Sequence, residues 1–282
     1  MASFYNVPNS TSGTSPYFVP EVWAKEVQKQ RENKLFMAKR VDRFDVDFAG
    51  GGDVLHVPKV TDLTAGNISN DGSLTDSANT EGEVQLIVDK WKGVSINVPD
   101  LLKVQAKYDL MKLYTEKMGY ALGKVVESDL LAEYSNVTGA AGSNATDLTD
   151  ATIRNAVEDL DLALAPFEDR YAIIYPTQKN ALLGIDKFVR YDSIPFAADS
   201  SPIKTGGIGQ LYGVEFSVSA LITTISSARA NIMWHRSAFG LALVKDVKVE
   251  NFARTQFSDR LGASELYGIK TMRADHGVQL KS

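Results

Sequence analysis

The sequence predicts an α+β fold, and three features predict it. Two strand-like segments flank a long polar stretch. A run of helical periodicity far longer than an average helix follows. A helix–strand–helix succession then gives way to strands that continue toward the C-terminus. The composition is that of a globular chain: 44% apolar and 23% charged over 282 residues, enough for one large domain or two interlocked ones.

Residues 1–20 are rich in Ser, Asn, Thr and Pro and read as an extended arm. Glu21 to Lys39 sets Val22, Trp23, Val27 and Leu35-Phe36 in a basic stretch, the pattern of a short amphipathic helix. Arg43 to Val60 reads as strands. Phe44, Val46 and Phe48 alternate with Asp45 and Asp47, and "DVLHVPKV" follows three glycines. Val84 to Val98, "VQLIVDKWKGVSINV", returns as strand. Between them lies "TAGNISNDGSLTDSANTEGE", Thr64 to Glu83, without a lysine, an arginine or an aromatic residue. That stretch is the far end of a long β-hairpin. Two strands alone are marginal in water, and the neighbouring sequence offers nothing to cover them.

From Asp109 to about Tyr134 apolar residues recur at helical spacing. Tyr114, Met118, Ala121 and Val125 share a face, with Leu122 and Val126 beside them, and Asp109 is the expected N-cap. Such a helix is roughly 39 Å long. Gly119 and Gly123 within it, at about 1 kcal/mol each relative to Ala, imply close backbone packing. "TGAAGSNATD" from Thr138 reads as a loop, and Thr149 or Asp150 caps a helix from Ala151 to Leu164 that Pro166 ends. "RYAIIY" (Arg170–Tyr175) reads as a buried strand, and Pro176-Thr177 opens a short helix toward Leu183. Ile194 to Gly209 reads as a Pro/Gly/Ser loop. Val214–Val218 is a strand, Asn231 to Val244 holds at least one more, and Lys248–Phe252 another. "ELYGIKTMRADHGVQL" gives two last short strands around a turn at His276-Gly277.

The signals for chemistry are weak. A net charge of -5 gives no reason for a nucleic-acid grip over the whole surface. No apolar run approaches the roughly 20 residues needed to span a bilayer, so no membrane partner is expected. The start lacks the basic and apolar regions of a signal peptide, and "MASFYN" is read as an unprocessed beginning. With no cysteine, disulfides and thiolate metal sites are excluded, which fits a reducing cytoplasm. Gly207-x-Gly209-x-x-x-Gly213 loosely resembles a dinucleotide loop, but no strand precedes it and "VEFSV", not a helix, follows. The glycines read as a tight turn into a strand. "NISNDGSLTDSA" hints at a calcium loop around Asp71-Gly72, yet counted from Asn67 its twelfth position is Ala78, where a bidentate acid is needed. His56, His235 and His276 form no metal-binding pair and read as structural or exposed. A Ser-His-Asp site stays open, because its members need only meet in space, but there is no G-x-S-x-G elbow. No catalytic residue, cofactor or metal ligand is assigned, and the chain is not expected to be an enzyme.

The order of the elements resembles the major capsid (coat) protein of tailed bacteriophages along nearly the whole chain. "YFVPEVWAKEVQKQRENKLFMAKRVDR" is similar to that family's N-terminal arm and "GGDVLHVPKV" to the first strand of its extended hairpin. "APFEDRYAIIYPTQKNALLG" resembles the helix-to-strand passage of the domain at the capsomer axis, and "GGIGQLYGVEFSVS" the turn that follows. "MWHRSAFGLALVKDVKVE" and "ELYGIKTMRADHGVQL" resemble the late strands. The resemblance implies an α+β tailed-phage capsid fold. Its parts are an N-terminal arm (1–40), an extended β-hairpin loop (41–99), a peripheral domain with a long spine helix (100–148), an axial α/β domain (149–244) and return strands of the peripheral domain (245–282). A jelly roll fits poorly, having no place for the long helix.

The resemblance further implies hexamers and pentamers closing into an icosahedral virion shell around packaged double-stranded DNA, assembled in the host cytoplasm. The expected partners are other copies of the chain, a scaffolding protein, a portal, a decoration or cement protein, and DNA through non-specific contact. Alternatives are a bacterial nanocompartment shell of the same fold, or a cytoplasmic α/β enzyme using the glycine loop. Some family members join subunits by a lysine–asparagine isopeptide bond. Here no lysine lies between Lys59 and Lys90, so the hairpin tip supplies no amine. Asp62, Asp71, Asp76, Glu81 and Glu83 make the tip acidic, while Lys25, Lys29 and Lys34 of the arm and Lys103 and Lys107 of the spine region are basic. The expectation is that the tip docks on a basic surface of an adjacent subunit.

Overall fold

The computed structural model describes residues 35–48, 51–60, 81–100, 110–185, 208–225, 228–255 and 258–282, with isolated positions between 65 and 72. Their strands form three sheets. The first has four strands: β1 (Asp42–Arg43), β4 (Lys90–Pro99), β11 (Phe239–Thr255) and β12 (Ser258–Thr271), in the order β1-β11-β12-β4. The second has seven: β5 (Gly139–Gly142), β6 (Arg170–Ile174), β7 (Gln210–Leu211), β8 (Val214–Val218), β9 (Thr224–Ile225), β10 (Ala228–His235) and β13 (Gly277–Lys281). Its order is β5-β13-β10-β6-β8-β7, with β9 paired to β10. The third is the hairpin β2 (Val54–Val60) and β3 (Glu81–Ile87), in antiparallel register from Val54 opposite Ile87 to Val60 opposite Glu81.

Among the described residues, three helices cover the two large sheets. Helix α1 (Leu110–Ala132) lies on the four-stranded sheet, where Met118 and Leu122 pack on Val98, Leu261 and Ala263. It continues as a 3-10 turn, Glu133–Asn136. Its buried seam is Met118, Leu122, Val126 and Leu130, one residue every fourth position, rather than the expected Tyr114–Met118–Ala121–Val125 face. The stripe rotates because the sheet draws on Leu122 while the arm root and the seven-stranded sheet draw on Val126, Leu130 and Leu131. A methyl group at Gly123 would sit 2.7 Å from Leu35 Cδ1, so this glycine admits the arm root. Nothing lies within 4 Å of the same position at Gly119, and the expected packing reason fails there. Asp109 lies outside the described residues.

Helix α2 (Asp150–Leu162) starts as expected, with the Thr149 hydroxyl accepting the Thr152 N–H. It ends at a left-handed Leu164, and α3 (Pro176–Leu183) opens on its proline. These two helices press Ile153, Ala156, Leu160 and Leu182 onto Ala172, Ile174, Met233 and Leu280. The opposite face of the seven-stranded sheet, with Tyr171, Ile173, Ile232 and Trp234, packs on Val126, Leu130, Phe239 and Tyr267. That sheet is therefore buried on both faces, and all five residues of β6 are buried.

Four further expectations change. "RFDVDFA" is strand only at its start, since the Asp47 N–H donates to the Phe44 carbonyl and turns the chain. Phe44 and Phe48 then share the root of the hairpin while Val46 is 85% exposed, so the alternation reflects a turn. Val84 to Val98 is two strands in two sheets, broken at Val88-Asp89. Gly139–Gly142, read as loop, is an edge strand parallel to β13. Lys248–Phe252 is no separate strand but part of β11, which is irregular at three points of its register. The "GGIGQLYG" reading holds from residue 208 on: Tyr212 and Gly213, both at positive φ, turn β7 into β8.

Candidate functional site

The hairpin is anchored at its root and bare beyond it. Leu86 is buried against Phe48 and Ala242, with Leu55 beside them. The Val88 N–H donates to the Asp53 carbonyl. At the crossing over β12 a methyl group on Gly268 would meet the Ile87 carbonyl oxygen at 2.4 Å, so only glycine lets the two backbones pass. Farther out, His56, Pro58, Lys59, Gly82, Glu83 and Gln85 are exposed. The His56 ring meets the Glu83 carboxylate at 2.9 Å, and the Gln85 amide donates to its other oxygen at 2.6 Å. The Gln85 bond first, then His56, holds the Glu83 carboxyl below its usual range. Glu83 thus stays charged on an accessible strand.

A basic trough lies on the four-stranded sheet, on the face turned away from α1. Strand alternation puts Trp91, Gly93 and Ser95 of β4 on that face, opposite Leu266, Ser264 and Gly262 of β12. Small residues make the floor of a cavity of about 380 Å³ that Lys92, Lys245 and Arg260 also line. The Lys245 ammonium donates to the Ser264 hydroxyl, and the Arg260 guanidinium reaches the Ser95 hydroxyl at 3.4 Å. Trp91 is 74% exposed at the trough's edge. Cations above a glycine- and serine-lined floor, beside an indole, suit an extended acidic chain.

The arm root is fixed with unusual thoroughness. The buried Glu127 carboxylate of α1 accepts the N–H groups of Phe36, Met37 and Ala38 at 2.9, 2.8 and 3.1 Å. These open the 3-10 turn Met37–Lys39, and the carboxylate serves as its N-terminal cap. The Trp234 indole donates to the Arg40 carbonyl, and Arg40 lies over the Phe36 and Tyr171 rings while its guanidinium grips both oxygens of Glu215.

Of the residues expected at a subunit contact, Glu83 is described in full and Glu81 in its backbone, both on β3. Asp62, Asp71, Asp76, Lys25, Lys29, Lys34, Lys103 and Lys107 lie outside the described residues, as does the suggested calcium loop around Asp71. Lys92, Lys245 and Arg260 are not among the residues the sequence pattern points to. Their one signal was local: "KWK" before the alternating small residues of β4. Of the three histidines, His235 and His276 meet across Ser237, whereas His56 stands apart on the hairpin. This is the one place where the open Ser-His-Asp reading finds a serine between imidazoles. The His276 ring bonds the Ala163 carbonyl there, not a carboxylate. Among the described residues no cluster of side chains suits a metal ion, and no helix is long and apolar enough to cross a membrane.

A two-sheet body with a long covering helix, a projecting hairpin and a pinned arm root is the architecture of a tailed-phage capsid subunit, and solved structures agree. A Mycobacterium phage Che8 chain aligns with a TM-score of 0.78 at 24% identity, over 95% of this chain and 98% of that one. A chain of the cyanophage P-SCSP1u capsid aligns at 0.74 and 18%, over 95% and 94%. One from the mature capsid of bacteriophage PhiM1 aligns at 0.72 and 14%, over 93% and 91%. No curated protein sequence matches. The family model for phage capsid proteins matches residues 80–275, and the chain belongs to that family. It is a capsid protein, with the virion shell as its place.

Proposed function

We propose that this chain is the major shell subunit, assembling through hexamers and pentamers into a closed icosahedral capsid around double-stranded DNA in the host cytoplasm. The observation that carries the reading is the hairpin. Its root is packed, its outer strands are exposed, and two strands without a covering layer are marginal. A neighbouring copy supplies that layer, so ordering of the hairpin is linked to assembly. The four-stranded sheet with α1 is assigned to the peripheral domain, and the seven-stranded sheet with α2 and α3 to the axial one. A scaffolding protein, a portal and a decoration protein complete the set of partners, and the chain acts by contact rather than by turnover.

The acidic hairpin of one subunit is assigned to the basic trough of the next. Exposed ion pairs are worth only about 0.2–1 kcal/mol each. Repeated at every boundary, they set register and disfavour wrong contacts. Electron microscopy and sedimentation of the purified chain test the shell: closed particles are expected, and a stable monomer at high concentration overturns it. Changing Asp71, Asp76 and Glu81 together to lysine tests the docking. Circular dichroism of the subunit should be unchanged while shells fail or misassemble. Normal shells at the usual yield and salt tolerance would remove the docking assignment and leave the shell reading intact. Denaturing electrophoresis of particles should give one band near the 30.8 kDa of the chain, with no ladder of multiples.

A further inference from the structure

Helix α2 runs into a corner that faces away from the core. Leu162, Leu164 and Phe167 are each at least 75% exposed there, and large apolar side chains gathered on a surface mark a contact. The corner is not a frayed end. The Leu164 N–H donates to the Asp161 carbonyl and the Ala165 N–H to the Leu160 carbonyl. The buried Arg170 donates to the Pro166 and Ala165 carbonyls at 2.7 and 2.6 Å and pairs with Asp161 at 2.7 Å. Its guanidinium also lies over the Phe167 ring, 4.8 Å from the centroid. Leu164 keeps φ 56, a conformation that glycine adopts without strain. Strain held on a rigid frame, under an exposed apolar side chain, returns nothing within the subunit. The rim is acidic: Glu158, Asp161 and Glu168 are exposed, and residues 157–169 contain no lysine or arginine.

We propose that this corner receives the N-terminal arm of an adjacent copy, through residues 21–34; the inference rests on the chain being a shell subunit. The arm's sequence has the complementary pattern. Trp23, Val27, Arg31 and Lys34 follow one another at spacings of four, four and three, which is one stripe of a helix, apolar first and then basic. Glu21, Glu26 and Glu32 fall on other faces of such a helix. The basic trough takes the hairpin of the next subunit, so this stripe is still without an acceptor. A helix of fourteen residues is marginal alone in water and gains from a surface. Trp23 and Val27 bury against the three apolar side chains of the corner, and Arg31 and Lys34 meet its acidic rim. The donor is an adjacent copy because no described residue covers the corner. Glu127 fixes the arm root at Phe36–Ala38, and residues 21–35 reach roughly 20 Å beyond it as helix and up to about 50 Å extended. Arm to corner is a head-to-tail contact, the kind that closes into rings.

The chain has no cysteine, so single introduced cysteines report the contact. Full-length chains carrying Gln30→Cys are mixed with full-length chains carrying Glu168→Cys, assembled and mildly oxidised; both changes leave the apolar anchors in place. Mass spectrometry of the linked peptides should find the 30-to-168 disulfide between copies, at least about tenfold above the yield with Thr64→Cys in place of the arm cysteine. Closed particles without that link overturn the inference and leave the shell reading intact, as does a chain with both cysteines that links only within itself. A chain that stays monomeric overturns both readings. A second variant, Leu162→Gln with Leu164→Gly, removes the apolar corner and relieves its strain. Its subunit should unfold in urea at or above the wild-type midpoint while the yield of closed particles falls at least about tenfold. Wild-type yield from that variant overturns the inference.

Discussion

The seven-stranded sheet and the β2–β3 hairpin are built from the same residue types and end in opposite conditions. In β6 every side chain is buried, because helices α2 and α3 cover one face and the core shared with α1 fills the other. In the hairpin, Leu86 is the one fully buried residue among the described strand side chains, and Leu55, Val57 and Val84 are only half covered. Strand propensity makes a strand in both places. What differs is the layer across from it. The body supplies its own layers, whereas the described hairpin residues beyond the root have no covering layer of their own.

The largest effect is expected where the body pins the arm root. Glu127→Ala leaves the buried N–H groups of Phe36 and Met37, and the part-buried one of Ala38, without their acceptor. At about 1–3 kcal/mol for each unsatisfied buried donor, urea unfolding of the subunit should show a loss of at least about 2–3 kcal/mol. Glu127→Gln keeps one acceptor oxygen and should lose less, about 1–2 kcal/mol on the same scale. If both variants unfold with the wild-type midpoint, the arm root is not part of the cooperative body and the comparison drawn above is misplaced.

A second variant attacks the boundary between the two regions. Gly268→Val puts a branched side chain where a single methyl group already meets the Ile87 carbonyl at 2.4 Å. Overpacking of this kind costs about 1–3 kcal/mol. Here the strain has an outlet, because the hairpin root can lift from β12. Hydrogen exchange should quicken in 54–60 and 81–87 and stay unchanged in 170–174. Equal quickening in both would mean that hairpin and body open as one unit.

The parts of this architecture that sequence made legible are those with a repeated pattern and a chemical start signal. Thr149 capping α2, Pro176 opening α3, the apolar run of β6 and the long period of α1 were all readable, because each is decided by neighbours along the chain. The misread parts are decided across the chain. "GAAG" becomes a strand through pairing with β13, and nothing in those four residues announces it. Phe44 and Phe48 mimic a strand because the Asp45 carboxylate accepts the Leu243 N–H and the Arg43 guanidinium, holding a turn against β11. The site divided in the same way. The acidity of the hairpin was a matter of composition. The trough needed Trp91, Lys245 and Arg260 brought side by side from three strands, which no local pattern encodes.

The smallest expected effect concerns an exception to the body's completeness. Helix α2 ends in a Schellman motif: the Ala165 N–H donates to the Leu160 carbonyl and the Leu164 N–H to the Asp161 carbonyl. The left-handed position of this motif, normally glycine, is Leu164 at φ 56, and the residue is 86% exposed. Leu162 and Phe167 beside it in sequence are exposed as well. A left-handed conformation costs a non-glycine residue roughly 1–2 kcal/mol, and a glycine returns roughly 0.4–1 kcal/mol of that through the freedom of the unfolded chain. Since almost no burial is lost, Leu164→Gly should stabilise the subunit by roughly 0.5–1 kcal/mol, the difference of these two terms. Leu164→Ala, with the same strained backbone, should change it by less than about 0.5 kcal/mol. Paired urea titrations of the two variants read this directly. A destabilised glycine variant would mean that Leu164 is held by contacts within the subunit, and the body would then be as complete at this corner as it is across β6.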